Sequence, residues 1–144
     1  FRRVLFRSSA QPTRRGRSES DVSTALWILQ GLLAFAFAMA GSMKLLRTRD
    51  QLSATMGWVE DFGAGTIKMI GTLEILAVVG LVLPGLTGIA PVLTPLAAFG
   101  LVLLMIGAAA AHLRRREWGN LVPVAFLGAM AAVVAWGRFG TWPL

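Results

Sequence analysis

Three ionisable residues in or beside long apolar stretches are the candidates for chemistry. Glu74 lies within TIKMIGTLEILAVVGLVL (Thr66 to Leu83), eight residues past Thr66. At 1.5 Å per residue that is about 12 Å along a helix, close to the middle of a bilayer core about 30 Å thick. A carboxylate at that depth costs on the order of 2.5 to 3.5 kcal/mol on insertion scales, so it needs an interior position with a partner, or a proton. Lys44 follows the uncharged ALWILQGLLAFAFAMAGSM (Ala25 to Met43), and His112 lies at the end of IAPVLTPLAAFGLVLLMIGAAAAHL (Ile89 to Leu113).

If each stretch crosses a membrane, alternating directions bring Lys44, Lys68 and His112 to one end of a bundle, with Glu74 the nearest deep acid. An inward-reaching Lys44 and an outward-reaching Glu74 then close most of a vertical gap of about 9 to 12 Å. Gly41 and Gly71 allow the two helices to approach at that level. Two readings stand: a buried Lys44 to Glu74 pair that fixes helix register, or a polar pocket that binds a ligand or relays protons. His112 is either a third polar contact or an interfacial cap. Lys68 reads as a snorkelling residue, and Arg114, Arg115 and Arg116 as topology determinants that meet anionic lipid.

Other chemistries are excluded by what is missing. There is no Cys, which removes disulfides, thiolate metal sites and thiol redox motifs, and a single His leaves no metal set. No phosphate loop, dinucleotide fingerprint or nucleophile with a plausible base occurs. No cofactor is therefore fixed by the residues alone.

The elements that position these residues are membrane helices. Of the 144 residues 56% are hydrophobic, with a mean hydropathy of +0.67, too apolar for an ordinary soluble domain of this length. A fourth stretch, LVPVAFLGAMAAVVAW (Leu121 to Trp136), is short, and Gly137 and Phe139 can extend it. The expected fold is all-α: an integral membrane four-helix bundle whose second span stops at Pro84 and is followed by a PGLTG turn (Pro84 to Gly88). In RDQLSATMGWVEDFGAG, Leu52, Met56 and Val59 recur at i, i+4, i+7, which predicts a short amphipathic interfacial helix between the first two spans. Trp27, Trp118 and Trp136 mark an aromatic belt at span ends. Ala125 with Ala129, and Gly128 with Ala132, are small-residue pairs suited to helix packing.

Charge gives the orientation. Lys44, Arg47, Arg49, Lys68 and Arg114 to Arg116 share one side, and from Val22 onward only Arg138 lies on the other. The excess of Lys and Arg predicts cytoplasmic loops at 44–65 and 114–120, with both termini outside the cell membrane. Residues 1–21 stand apart. FRRVLFRS (Phe1 to Ser8) back-translates to the end of a common sequencing adapter and reads as an assembly artefact. SAQPTRRGRSESD (Ser9 to Asp21) is either a disordered tail or translated upstream DNA ahead of a start at Val22. From Val22 there are eight basic and five acidic residues, so the nominal net charge of +7 carries no argument for nucleic-acid binding.

With these motifs in place, the chain resembles the DoxX-like family of small four-helix bacterial membrane proteins. The resemblance rests on GSMKLL (Gly41 to Leu46), ATMGWVEDF (Ala54 to Phe62), IGTLEILAVVGLVLP (Ile70 to Pro84), APVLTPLAAFGLVLLMIGAAAAHLRRRE (Ala90 to Glu117) and WGRFGTWPL (Trp136 to Leu144), and covers residues 22–144. It implies a membrane bundle of unassigned activity, some of whose relatives are linked to quinone-coupled sulfur oxidation or oxidative-stress complexes. Lys44, Glu74 and His112 are the polar positions carried over. The leading expectation is an accessory subunit, not catalytic on its own, binding a quinone-like molecule beside the lipid bilayer and a redox partner or a second copy. The alternatives are a structural protein with no ligand, or a small proton-coupled transporter.

Overall fold

The computed structural model describes residues 14–144. Four long helices form the bundle: α1 (Arg14–Leu46), α3 (Ala64–Thr87), α4 (Leu93–Arg114) and α5 (Trp118–Phe139). Between α1 and α3 lie the short helix α2 (Arg49–Ser53) and a 3-10 turn, Gly57–Asp61. All four long helices are long and apolar enough to cross a membrane. Each packs beside the next in sequence, and α5 returns to α1, which closes an up-down-up-down ring. The α1–α3 and α4–α5 connections share the loop end of the bundle. The start of α1 and the C-terminus share the terminal end with the turn between α3 and α4.

Side chains are sorted as a bilayer requires. Large apolar residues such as Phe35, Leu76, Ile106 and Phe126 point outward, whereas Gln30, Lys44, Glu74, Thr94, His112 and Arg138 are buried among the helices. With no water in the hydrocarbon to satisfy them, these polar groups have to find one another. The apolar core between them contains Leu33, Phe37, Leu81, Leu101 and Val134.

Several boundaries differ from the sequence expectation. The artefact assignment for Phe1 to Ser8 lies outside the described residues, as do residues 9–13, while α1 continues back through Asp21 with residues 15–21 exposed. The second span does not stop at Pro84. Helix α3 runs through it to Thr87 and ends at Gly88, whose φ of 71° is the left-handed conformation that closes many helices.

The helix survives the proline because a neighbour repairs it. Pro84 has no N–H to donate to the Gly80 carbonyl four residues earlier. The Thr94 hydroxyl of α4 donates to that carbonyl at 3.0 Å instead, and the Gln30 amide of α1 donates to the Leu81 carbonyl at 2.8 Å. The interfacial stretch also differs from one amphipathic helix. It is α2, held by a Thr48–Gln51 capping box, followed by the 3-10 turn, and it folds inward so that Leu52 and Val59 pack with Ile67 in a second small core.

Thr94→Val should therefore cost about 1 kcal/mol in thermal or denaturant unfolding in detergent. In a Pro84→Ala background, where the substituted alanine supplies the missing N–H, the same change should cost distinctly less. A double-mutant cycle measures the difference.

Candidate functional site

The loop end holds the candidate site. Lys44, in the last turn of α1, and Glu74, midway along α3, form a bidentate pair. Lys44 Nζ donates to Glu74 Oε1 at 2.9 Å and to Oε2 at 2.8 Å, and both residues are 5% exposed or less. The ammonium also lies 5.9 Å from the centroid of the Trp58 ring, within cation-π range.

This pairing is set by helix spacing. A Cβ built on Gly41 would sit 3.0 Å from the Gly71 carbonyl oxygen, and one built on Gly71 would sit 2.9 Å from Lys44 Cβ. Only glycine at both positions lets α1 and α3 come this close. Thus Gly41 and Gly71 face each other at the level of the ion pair, and the backbone approach delivers Lys44 to Glu74.

His112 reaches the same region from α4 and is buried. Its place follows from how α4 ends. Arg116 adopts a left-handed φ of 58°, the Glu117 N–H donates to the His112 carbonyl at 2.9 Å, and the Arg116 N–H to the Leu113 carbonyl at 3.1 Å. This Schellman arrangement folds Glu117 back over the helix end. His112 Nδ1 then lies 2.7 Å from Glu117 Oε2. An ionised carboxylate only accepts, so Nδ1 carries the proton and Nε2 is left, without a hydrogen-bond partner among the described residues, for another group. The hydrogen bonds from His112, then Arg115, hold the Glu117 carboxyl down at about 2.

Arg115 extends the network across the loop end. It donates from Nε to Glu117 Oε1 at 2.9 Å and from Nη1 to Asp61 Oδ1 at 2.8 Å, with Nη2 3.5 Å from Glu60 Oε2. The hydrogen bonds to Glu117 and Asp61 raise its own pKa further. The 3-10 turn is thereby tied to the α4–α5 connection, while Arg49 bonds the Glu60 and Phe62 carbonyls from the other side.

Beneath this turn is a cavity of about 460 Å³. Lys44, Glu74 and His112 all line it, and Trp58 and Phe62 form part of its cover. Its walls recede where side chains are small: Ala36 and Ala40 on α1, and Gly107, Ala108 and Ala111 on α4. The arrangement can offer an ammonium donor, a carboxylate acceptor and an imidazole nitrogen around a mostly apolar space. Among the described residues no cluster of three or more His, Cys, Asp or Glu side chains is suited to a metal.

The other sequence candidates divide between the bundle and its surface. Lys68 Nζ donates to the Leu45 carbonyl and, at 2.9 Å, to the Arg47 carbonyl, covering acceptors that the end of α1 leaves open. Arg114 and Arg116 are exposed, so Arg115 alone of the three enters the loop-end network. Trp118 and Trp136 are exposed near helix ends, but Trp27 turns inward against Gly85 and lies under Arg138.

A second polar cluster escaped the sequence reading. At the terminal end, Arg138 is 3% exposed, donates from Nε to Gln30 Oε1 at 2.8 Å, and reaches Ser23 Oγ and the Trp142 carbonyl from Nη1. Its signal was a polar residue in each of two apolar spans, Gln30 and Arg138, which alternating directions place at the same end of the bundle.

Bundle and site together define an integral membrane protein of four helices with a buried acid–lysine pair under a folded loop. The chain belongs to the DoxX-like family, whose family model matches residues 28–134. No curated protein and no solved structure matches it.

Lys44→Met should destabilise the protein by about 3 to 5 kcal/mol because it strands a buried carboxylate, and adding Glu74→Leu should restore much of that loss, as read by unfolding in detergent. The Glu117 contribution to loop closure, with its carboxyl lowered from 4.5 to about 2, is complete above pH 4.5 and lost as the pH falls toward 2. Acrylamide quenching of Trp58 should rise over that window, and the rise should shrink in Glu117→Gln.

Proposed function

We propose that this protein binds an apolar molecule with a compact hydrogen-bonding head, a quinone being the best fit, in the loop-end cavity, and serves as an accessory subunit of a membrane redox complex. The observation that carries this reading is the convergence of Lys44, Glu74 and His112 on one mostly apolar cavity of about 460 Å³. That volume lies in the range of small-molecule sites, roughly 300 to 1,000 Å³. A quinone carbonyl accepts a hydrogen bond, for which Lys44 is a donor, and a quinol hydroxyl donates one, for which Glu74 and His112 Nε2 are acceptors. Proton exchange accompanies quinone reduction, and ionisable groups at one end of an apolar slot suit it. The chain has no Cys for thiol or iron–sulfur chemistry, so electrons would come from a partner.

The excess of Lys and Arg at the loop end supports an orientation with the cavity mouth on the cytoplasmic side of the cell membrane and both termini outside. A transporter is disfavoured because the apolar core of Leu33, Phe37, Leu81 and Leu101 separates the two polar clusters. A ligand-free structural bundle is the second reading, favoured by a carboxylate whose two oxygens already have donors.

Titration of the protein in lipid nanodiscs with the tail-less quinone ubiquinone-0 decides between them. Saturable quenching of Trp58 fluorescence, absent in Trp58→Phe and weakened at least tenfold in a folded Glu74→Gln variant, is the expected result. Quenching that never saturates and is equal in the parent and Glu74→Gln proteins would leave the structural reading.

A further inference from the structure

A second hollow lies beside the first. Between α3 and α4 there is a groove of about 660 Å³ lined only by apolar residues and glycine. It shares Leu103 and Leu104 with the loop-end cavity, so the two spaces adjoin at those side chains. The two helices are in tight contact at the level of Gly80 and Ala97, where a Cβ added to Gly80 would lie 2.7 Å from Ala97 Cβ. Gly100 helps to keep the groove open, with nothing within 4 Å of where its Cβ would be. The lining residues Leu73, Leu76, Leu96 and Leu103 are exposed, so the groove opens sideways to lipid.

Its length and apolar lining point to the occupant. From Leu93 to Leu104 it follows α4 for about 16 Å at 1.5 Å per residue. A groove of about 660 Å³ spread over that length and lined by leucine, valine, alanine and glycine alone suits a hydrocarbon chain lying along the two helices. The groove offers no polar side chain to a head, and the cavity beside it offers three.

We propose that the groove holds the hydrocarbon chain of the molecule whose head occupies the cavity, so that the ligand is a long-chain amphiphile drawn laterally from the bilayer. This rests on the head-group reading given above. It adds that affinity is divided between a polar end, set by Lys44, Glu74 and His112, and an apolar slot set by the α3–α4 spacing, with Leu103 and Leu104 at the junction. The tail would enter from the membrane and need not pass the tied loop.

The test compares decylubiquinone with ubiquinone-0, which share a head and differ in the chain, on the full chain in nanodiscs of one lipid composition. The variant is Gly100→Phe, which fills the groove away from the polar residues; Gly100→Leu repeats it with a smaller side chain. The parent should prefer decylubiquinone, and the ratio of the two affinities should fall about tenfold in Gly100→Phe and less in Gly100→Leu, with ubiquinone-0 affinity unchanged in both. Bilayer partitioning is common to all three proteins and cancels in the comparison. Binding of ubiquinone-0 with an unchanged ratio in both variants would overturn the tail slot alone, and would mean that bulk lipid fills the groove. Saturable binding of neither quinone to the parent would overturn the head-group reading and the slot with it.

Discussion

The bidentate contact between Lys44 and Glu74 is the interaction on which the loop end is organised. Two opposite charges in a water-poor interior are tolerable only if they meet, and they meet only if their helices nearly touch. The bare backbone at Gly41 and Gly71 provides that proximity. Once α1 and α3 are drawn together here, space remains toward α4 and α5, and the alanines and glycines on the facing walls leave it unfilled. The cavity is thus a by-product of forcing α1 and α3 close while keeping small side chains on the facing walls of α1 and α4.

The loop over the cavity is organised by a different device. Arg115 gathers carboxylates from the 3-10 turn and from Glu117, and α2 and the turn meanwhile bury Leu52 and Val59 against α3. A hydrophobic plug and an ion-pair clasp therefore fasten the same segment from opposite sides. The left-handed Arg116 ties this clasp to His112, because it turns the chain back and puts a carboxylate against the imidazole.

Much of this is legible in the sequence. Four spans follow from uninterrupted apolar length, and the meeting of Lys44 with Glu74 follows from alternating direction and a count of residues. What the sequence conceals are interactions that cross between helices without a charge pattern to announce them. Gln30 reads as an isolated polar residue in an apolar run, and Pro84 reads as a stop signal, because nothing local shows that Thr94 will supply the bond the proline withholds. Lys68 shows a related limit: a lysine near a helix start can reach lipid or the neighbouring helix end, and only the fold reveals that its ammonium meets the open carbonyls of α1. The cavity depends on which small residues face inward, and single-helix periodicity does not specify that in a bundle apolar on every side.

The exchange of partners at Gly80 bears on how the chain enters its membrane. Helix α3 alone would arrive in hydrocarbon with a naked carbonyl opposite Pro84, and α4 alone would arrive with the unpaired hydroxyl of Thr94. Each group removes the other's desolvation cost, and only a few residues separate the two helices. The two segments are accordingly better suited to hydrocarbon as a hairpin than singly, so a feature that looks like local repair in the finished bundle also couples the burial of α3 to that of α4.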